Sequence, residues 1–102
     1  MKMKTLAAIT LLNTCFFAGS TAVDFIKEVQ PLLTTHCIKC HGGVRAKSEL
    51  SFARKESVFS PAQSGQPAVI PGNPGASELL TRITSHDEDE RMPPEKPLSA
   101  KE

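Results

Sequence analysis

Residues 36–43 read HCIKCHGG and contain side chains that bind metals or form covalent bonds to cofactors. Cys37 and Cys40 are three positions apart, and His41 directly follows the second cysteine. Two thiols and an imidazole at this spacing serve a redox dithiol, a zinc site or the covalent attachment of a haem. Each use makes a different demand on the rest of the chain, so the surrounding sequence helps to distinguish among them.

The surrounding sequence gives little support to a redox dithiol or to zinc. A thioredoxin-like Cys-x-x-Cys lies at a helix start beside a strand of a βαβ unit, and no strand-rich pattern surrounds Cys37. A structural zinc ion takes four ligands, usually from two pairs of side chains, and a second pair is missing here. The nitrogen donors are His36, His41 and His86, and His41 abuts Cys40, which hinders both from reaching the same ion. A zinc-binding structural module remains an alternative, as do two free cysteines beside a surface histidine.

Covalent haem attachment uses all three residues of the motif. The two thiols add to the vinyl groups of the porphyrin, and a spacing of three positions lets one helical turn span that edge. The next residue then directs its imidazole to the iron, which is why Cys-x-x-Cys-His is typical of c-type haem. The sequence therefore predicts thioether bonds from Cys37 and Cys40 and iron ligation by His41.

A second axial ligand is expected from Met92, the only methionine after residue 22. It precedes Pro93, which favours an extended backbone before it, and Pro94 stiffens the next part of the loop. Such a loop can hold a thioether over the iron at low entropic cost. A core-filling methionine is the alternative. His86 is the competing ligand, but it lies in the acidic run HDEDE and is interpreted as a surface residue.

A His/Met pair fills both axial positions of the iron and leaves no site for oxygen or peroxide. The soft sulfur favours ferrous iron and raises the reduction potential. The sequence therefore predicts an electron carrier and not an enzyme. The rival hypothesis is a haem peroxidase-like enzyme in which Met92 leaves the iron.

The first 22 residues have the pattern of a secretory signal peptide. Lys2 and Lys4 form a basic start, the run LAAITLLNTCFFAG is almost wholly apolar, and small residues precede a predicted cleavage after Ala22. The apolar run is too short and too interrupted by polar residues to predict a membrane span, although an uncleaved anchor is the alternative. We therefore expect an exported protein, periplasmic or otherwise extracytoplasmic, with no stable membrane span after cleavage.

The chain that remains after cleavage is small and nearly neutral. The 12 Lys and Arg residues fall to 10 without Lys2 and Lys4, which against 11 Asp and Glu gives a net charge of −1. This balance, with no Trp and no Tyr, gives no indication of nucleic-acid binding. A disulfide between Cys37 and Cys40 would close a loop too small to stabilise much. A domain of this size needs a stronger stabilising element than that disulfide, so the composition predicts a larger group, such as a bound cofactor, around which the chain packs.

The segment VDFIKEVQPLLTTHC predicts a helix that leads into the motif. Asp24 can cap its start, and Pro31 interrupts it, so we expect two short pieces of which the second runs into Cys37. After the motif, the segment SELSFA alternates in polarity and places Leu50 and Phe52 on one side of a short extended piece.

The segment NPGASELLTRITS predicts another helix, with Asn73 as its cap and Pro74 as its first helical residue. At the end of the given sequence, Ser99 and Glu102 have the spacing of a capping box, which predicts the opening of a third helix.

With CIKCHGG and ERMPP both placed, the sequence resembles the planctomycete-type cytochrome c domain, a small relative of class I cytochromes c. The resemblance covers roughly residues 23–102 and includes FIKEVQPLL and VIPGNPGASELLTRI. It implies an all-α fold around one covalently bound haem c. It also implies that Cys37 and Cys40 are the thioether links, His41 the proximal ligand and Met92 the distal ligand.

Members of this family normally continue into a helix that packs against the first one, and many are the N-terminal part of larger exported proteins. The resemblance thus implies a piece of a longer product, with a signal peptide at residues 1–22 and an incomplete cytochrome c-like domain at residues 23–102. Its C-terminal helix would be missing or only begun. A redox partner protein or an attached downstream domain is implied as well, and any catalytic activity would lie in that domain.

Overall fold

The computed structural model of the protein describes Cys15, Gly19 and residues 21–102. Most of the predicted signal peptide, residues 1–22, therefore lies outside the described residues. The described part contains helices and turns but no β-strand, apart from one isolated bridge between Pro61 and Pro67. The prediction of an all-α fold is confirmed. No described helix has the length and apolar character needed to cross a membrane.

The helices are short, and none of those described is longer than seven residues. Helix α1 spans Gln30–His36, α2 spans Lys55–Phe59 and α3 spans Glu78–Thr84. A π-helical turn at Phe25–Val29 leads directly into α1, and 3₁₀ turns cover Lys47–Glu49 and Pro74–Ala76. Because the helices are so short, the turns and loops between them carry the candidate site residues.

The helix before the motif consists of two pieces, as the sequence predicted. Asp24 caps the π-helical turn, since its Oδ1 accepts a hydrogen bond from the Lys27 N–H at 3.1 Å. Pro31 lies in the first turn of α1, a position where the missing N–H of proline is tolerated. The Cys37 N–H donates to the Leu33 carbonyl at 2.9 Å, so α1 ends directly at the first cysteine.

The second predicted helix is divided in two at Ser77. The Asn73 Oδ1 accepts from the Ala76 N–H at 3.2 Å, but this caps only the 3₁₀ turn. Ser77 is extended and 3% exposed, and its Oγ accepts from the Ile70 N–H and donates to the Asn73 carbonyl, both at 2.9 Å. A buried hydroxyl needs hydrogen-bond partners of this kind. The extended backbone at Ser77 that accompanies these bonds interrupts the helix. The prediction of one continuous helix is wrong, and α3 begins only at Glu78.

An extended segment joins α2 to α3 through main-chain hydrogen bonds. The Val69 N–H donates to the Val58 carbonyl at 3.0 Å, and the Leu79 N–H donates to the Ala68 carbonyl at 2.9 Å. Ala68 is 2% exposed and is the only buried apolar side chain among the described residues. The hydrophobic core is therefore small, in agreement with what the composition predicted.

The predicted capping box forms at Ser99 and Glu102. The Ser99 N–H donates to the Glu102 Oε2 at 2.9 Å, and the Glu102 N–H donates back to the Ser99 Oγ at 3.4 Å. The other carboxylate oxygen, Oε1, lies 2.9 Å from the His36 Nε2. This contact joins the last turn of the described chain to the end of α1.

Candidate cofactor-binding site

One cavity of about 590 Å³ brings the four predicted site residues together. Cys37, Cys40, His41 and Met92 all line it, although 51 positions separate His41 from Met92 in the sequence. The volume lies within the range of roughly 300–1,000 Å³ that is typical of cofactor and ligand sites. His86, the competing candidate ligand, is exposed and is not among the lining residues.

The walls of the cavity are largely apolar. The apolar side chains come from the segment after the motif, from α3 and from the proline-rich loop, and they include Leu50, Phe52, Leu79, Ile83 and Pro93. An apolar wall with a few convergent polar and sulfur groups is the usual form of a cofactor pocket. The cavity is therefore large enough and apolar enough to take a mainly apolar cofactor.

The motif itself forms one turn directly after α1. The His41 N–H donates to the Cys37 carbonyl at 2.8 Å, and the Cys40 N–H donates to the same oxygen at 3.2 Å. The two thiols thus stand about one helical turn apart, and both cysteines are free and half-buried. Burial raises the pKa of the Cys37 thiol, which keeps this sulfur protonated at neutral pH.

Gly42 follows the turn and packs closely against Ile38. A Cβ at position 42 would lie 2.6 Å from the Ile38 carbonyl oxygen and 2.8 Å from the Ile38 Cγ2. Real Cβ atoms do not approach other atoms so closely. The glycine after the histidine therefore has a structural reason, which is to allow the turn and the following loop to pack together.

The imidazole of His41 is held by the loop that comes after it. Its Nδ1 lies 3.0 Å from the Lys47 carbonyl oxygen, which can only accept, so Nδ1 carries the hydrogen. In the neutral ring Nε2 then keeps its lone pair, which is the form that binds metals. The Phe52 ring meets the imidazole edge-on, with centroids 6.1 Å apart and an interplanar angle of 88°. The ring orientation and the free nitrogen are therefore set by the surrounding chain.

Met92 lies in the loop of residues 85–95 that follows α3, which we call the Met92 loop, and this loop is hydrogen-bonded to α3. Its N–H donates to the Arg82 carbonyl at 3.0 Å, and the preceding Arg91 N–H donates to the Asp87 carbonyl at 2.8 Å. Met92 is half-buried, and its peptide bond to Pro93 is cis. The thioether thus reaches the cavity from a different segment of the chain than the two thiols and the imidazole.

The donor set suits a covalently bound haem. Two thiols one turn apart match two attachment points on one edge of a porphyrin, and an imidazole with a thioether is the axial pair of many c-type cytochromes. In the described part of the chain, no three or more His, Cys, Asp or Glu side chains are grouped so as to hold a metal ion by themselves. The two thiols, the imidazole and the thioether that line the cavity are the kinds of group that hold haem c.

Three contributors to the site were not identified from the sequence. Lys47 acts through its backbone carbonyl, for which its side chain gives no signal. Phe52 was expected to share a side with Leu50, and both line the cavity, but their alternation did not reveal what they would face. Arg82 was one polar position on a predicted helix, and its contact with Met92 depends on the tertiary fold.

An all-α chain whose Cys-x-x-Cys-His turn and loop methionine share one apolar cavity has the organisation of a cytochrome c domain. The sequence profile of the family described as Planctomycete cytochrome C matches residues 37–96, more than half of the chain, and the chain belongs to this family. The match contains both cysteines, His41 and Met92. No curated protein and no solved structure matches the chain.

Proposed function

We propose that this protein binds one haem c covalently and transfers electrons through it. The observation that carries the proposal is the single cavity lined by Cys37, Cys40, His41 and Met92. Membership of a cytochrome c family supports the same assignment. The proposal concerns this domain alone, and any catalysis would belong to an attached downstream domain.

The two cysteines would hold the group through thioether bonds. Each S–H adds across one vinyl C=C bond, so that a C–S bond forms and the hydrogen goes to the neighbouring carbon. The addition has no leaving group and needs no oxidant, but both thiols must be reduced. Cys37 and Cys40 are free thiols on one turn, which is the state that this chemistry requires.

His41 and Met92 would occupy the two axial positions. When bound, the haem iron supplies the one-electron couple. The His41 Nε2 offers its lone pair because Nδ1 donates to Lys47. The Met92 thioether would favour the reduced iron and so raise the reduction potential. With both positions filled by the chain, the domain would carry electrons and would not activate oxygen or peroxide.

The protein would also be exported and would exchange electrons with a partner. The first 22 residues have the pattern of a signal peptide, and covalent haem attachment takes place outside the cytoplasm in bacteria. Electrons would pass to a redox partner protein or to a domain attached downstream. The near-neutral balance of 12 basic and 11 acidic residues gives no indication that nucleic acid is a partner.

The proposal is tested by expressing the full chain together with haem-ligation machinery and recording its spectra. We expect a reduced-minus-oxidised spectrum of a low-spin c-type haem and a near-infrared sulfur-to-iron band in the ferric form. A high-spin spectrum without that band would favour the peroxidase-like enzyme instead. The double variant Cys37→Ala, Cys40→Ala is the control, and it should purify without covalent haem.

A further inference from the structure

Arg82 connects α3 to the Met92 loop through both its main chain and its side chain. Its carbonyl accepts the Met92 N–H at 3.0 Å, and its Nη1 donates to the Glu90 carbonyl at 3.3 Å. The Arg82 carbonyl is one of the last four of α3, which have no partner within the helix, so the Met92 N–H satisfies it. One residue thus holds the loop on both sides of Arg91.

The guanidinium of Arg82 is itself fixed by Glu78, one turn earlier on α3. Its Nε and Nη2 donate to the Glu78 Oε1 at 3.3 and 3.1 Å. The other oxygen of Glu78 accepts from the Ser64 hydroxyl, which belongs to a different loop. Ser64, Glu78, Arg82 and Met92 all line the cavity. A continuous polar network therefore joins three segments of the cavity wall.

The hydrogen bonds to Arg82 matter for the Met92 loop because much of this loop is exposed and makes few buried contacts. Residues 86–90 are all exposed, and several of them are acidic. Segments with few buried contacts open at low free-energy cost. A thioether is also a neutral ligand that competes with imidazole and water for the iron. The position of the loop consequently decides how firmly the sulfur is held.

We propose that Arg82 is a positioning residue for the Met92 ligand and that Glu78 anchors it. This inference rests on the proposed function, because it assigns a support to the proposed axial ligand. Arg82 does not contact the iron; it holds the Glu90 carbonyl and the Met92 amide so that the sulfur stays at the cavity. Loss of its side chain removes the Glu90 contact and the Glu78 pair but leaves the Arg82 carbonyl in place.

The test measures how easily an external ligand displaces Met92 in the ferric haem-loaded protein. Imidazole binds only when the sulfur leaves, so its apparent affinity contains the cost of opening the loop. We expect Arg82→Gln to bind imidazole about tenfold more tightly, a change of about 1.4 kcal/mol, because the charge-assisted hydrogen bonds of the guanidinium are lost. Its near-infrared sulfur-to-iron band should weaken. Arg82→Lys, which keeps the charge but not the planar fork, should be intermediate.

A matched control is Arg54→Gln, because Arg54 is exposed and is not among the residues that line the cavity. It should keep the imidazole affinity of the wild-type protein. If Arg82→Gln does not fold, Glu78→Gln carries the test and should bind imidazole more tightly than wild type, with a smaller change. Imidazole affinity and band intensity equal to wild type in the Arg82 and Glu78 variants, even with a lower unfolding midpoint, would overturn the inference. A wild-type protein without the sulfur-to-iron band would instead overturn the proposed function, and the inference with it.

Discussion

The Nδ1 of His41 and the backbone carbonyl oxygen of Lys47 lie 3.0 Å apart, and this contact orients the imidazole. The same lysine donates its N–H to the Cys40 carbonyl at 2.9 Å, so the intervening loop is closed at its base. Both contacts use the main chain of Lys47. The direction in which Nε2 points is therefore a property of the loop conformation and not of the lysine side chain.

Lys47→Ala should therefore leave the haem spectrum unchanged, because alanine supplies the same carbonyl and amide. His41→Ala should lose the low-spin spectrum, because it removes the nitrogen that the iron requires. Visible spectra of the two haem-loaded variants check this. A low-spin wild-type spectrum in His41→Ala would contradict the assignment of His41 as a ligand.

Met92→Ala should lose the near-infrared sulfur-to-iron band and have a lower reduction potential, since the thioether stabilises ferrous iron. The open axial position should also make the variant more reactive toward peroxide. Redox titration and near-infrared spectra measure the potential and the band. His86→Ala is the matched control and should change neither, because His86 lies outside the cavity lining. The assignment would be wrong if Met92→Ala kept the wild-type potential and band, or if the wild-type protein lacked the band and His86→Ala changed its spectrum.

Gly42→Ala should destabilise the haem-loaded protein by about 1–3 kcal/mol, the usual cost of inserting a methyl group into closely packed surroundings. The nearest atom to the added Cβ is the Ile38 carbonyl oxygen at 2.6 Å, and a backbone atom within the hydrogen-bonded Cys37–His41 turn cannot move aside freely. Gly75→Ala is the control, because its added Cβ would come no closer than 3.9 Å to the Asn73 Oδ1. Denaturant unfolding of both variants makes the comparison, and equal midpoints would contradict the packing argument.

Glu102 should stabilise the fold in a pH-dependent way. Hydrogen bonds from the Ser99 backbone and from the side chains of His36 and Ser99 lower the pKa of the Glu102 carboxyl from 4.5 to about 2. Because the folded-state pKa is below the unfolded value, the contribution is fully present above pH 4.5 and disappears as the pH falls toward 2. The difference in unfolding free energy between wild type and Glu102→Gln should therefore be constant above pH 4.5 and decrease as the pH falls toward 2.

Denaturant unfolding of the two proteins between pH 7 and pH 2 measures that difference. Glu88→Gln serves as the control, since Glu88 is an exposed carboxylate far along the chain from Ser99 and His36. A difference between wild type and Glu102→Gln that stays constant across the range would show that the carboxylate is not stabilised by these partners.

The features that the sequence predicted well are those whose determinants lie within one turn. The Cys-x-x-Cys-His segment closes a turn between Cys37 and His41, and the Asp24 cap and the Ser99–Glu102 box each need partners only three residues away. Contacts between residues so close in the sequence can be predicted from the local residue pattern alone. The small core also followed directly from composition, because a short chain with few aromatics cannot bury much apolar surface.

The features that the sequence did not predict depend on residues that meet only in the fold. Ser77 interrupts the predicted helix because its hydroxyl finds Ile70, seven positions away. Helix α2 was not predicted, and it is a five-residue helix without a side-chain cap. The Arg82–Met92 contact spans ten positions and arises from how the loop returns to α3. Periodicity and capping rules do not report contacts of this kind.

The mass of the denatured, purified protein shows whether haem is bonded to both cysteines. We expect a coloured protein whose mass exceeds that of the processed chain by one haem, with neither Cys37 nor Cys40 open to alkylation. A colourless, folded protein with the mass of the bare polypeptide, in which both thiols react with the alkylating agent, would contradict it.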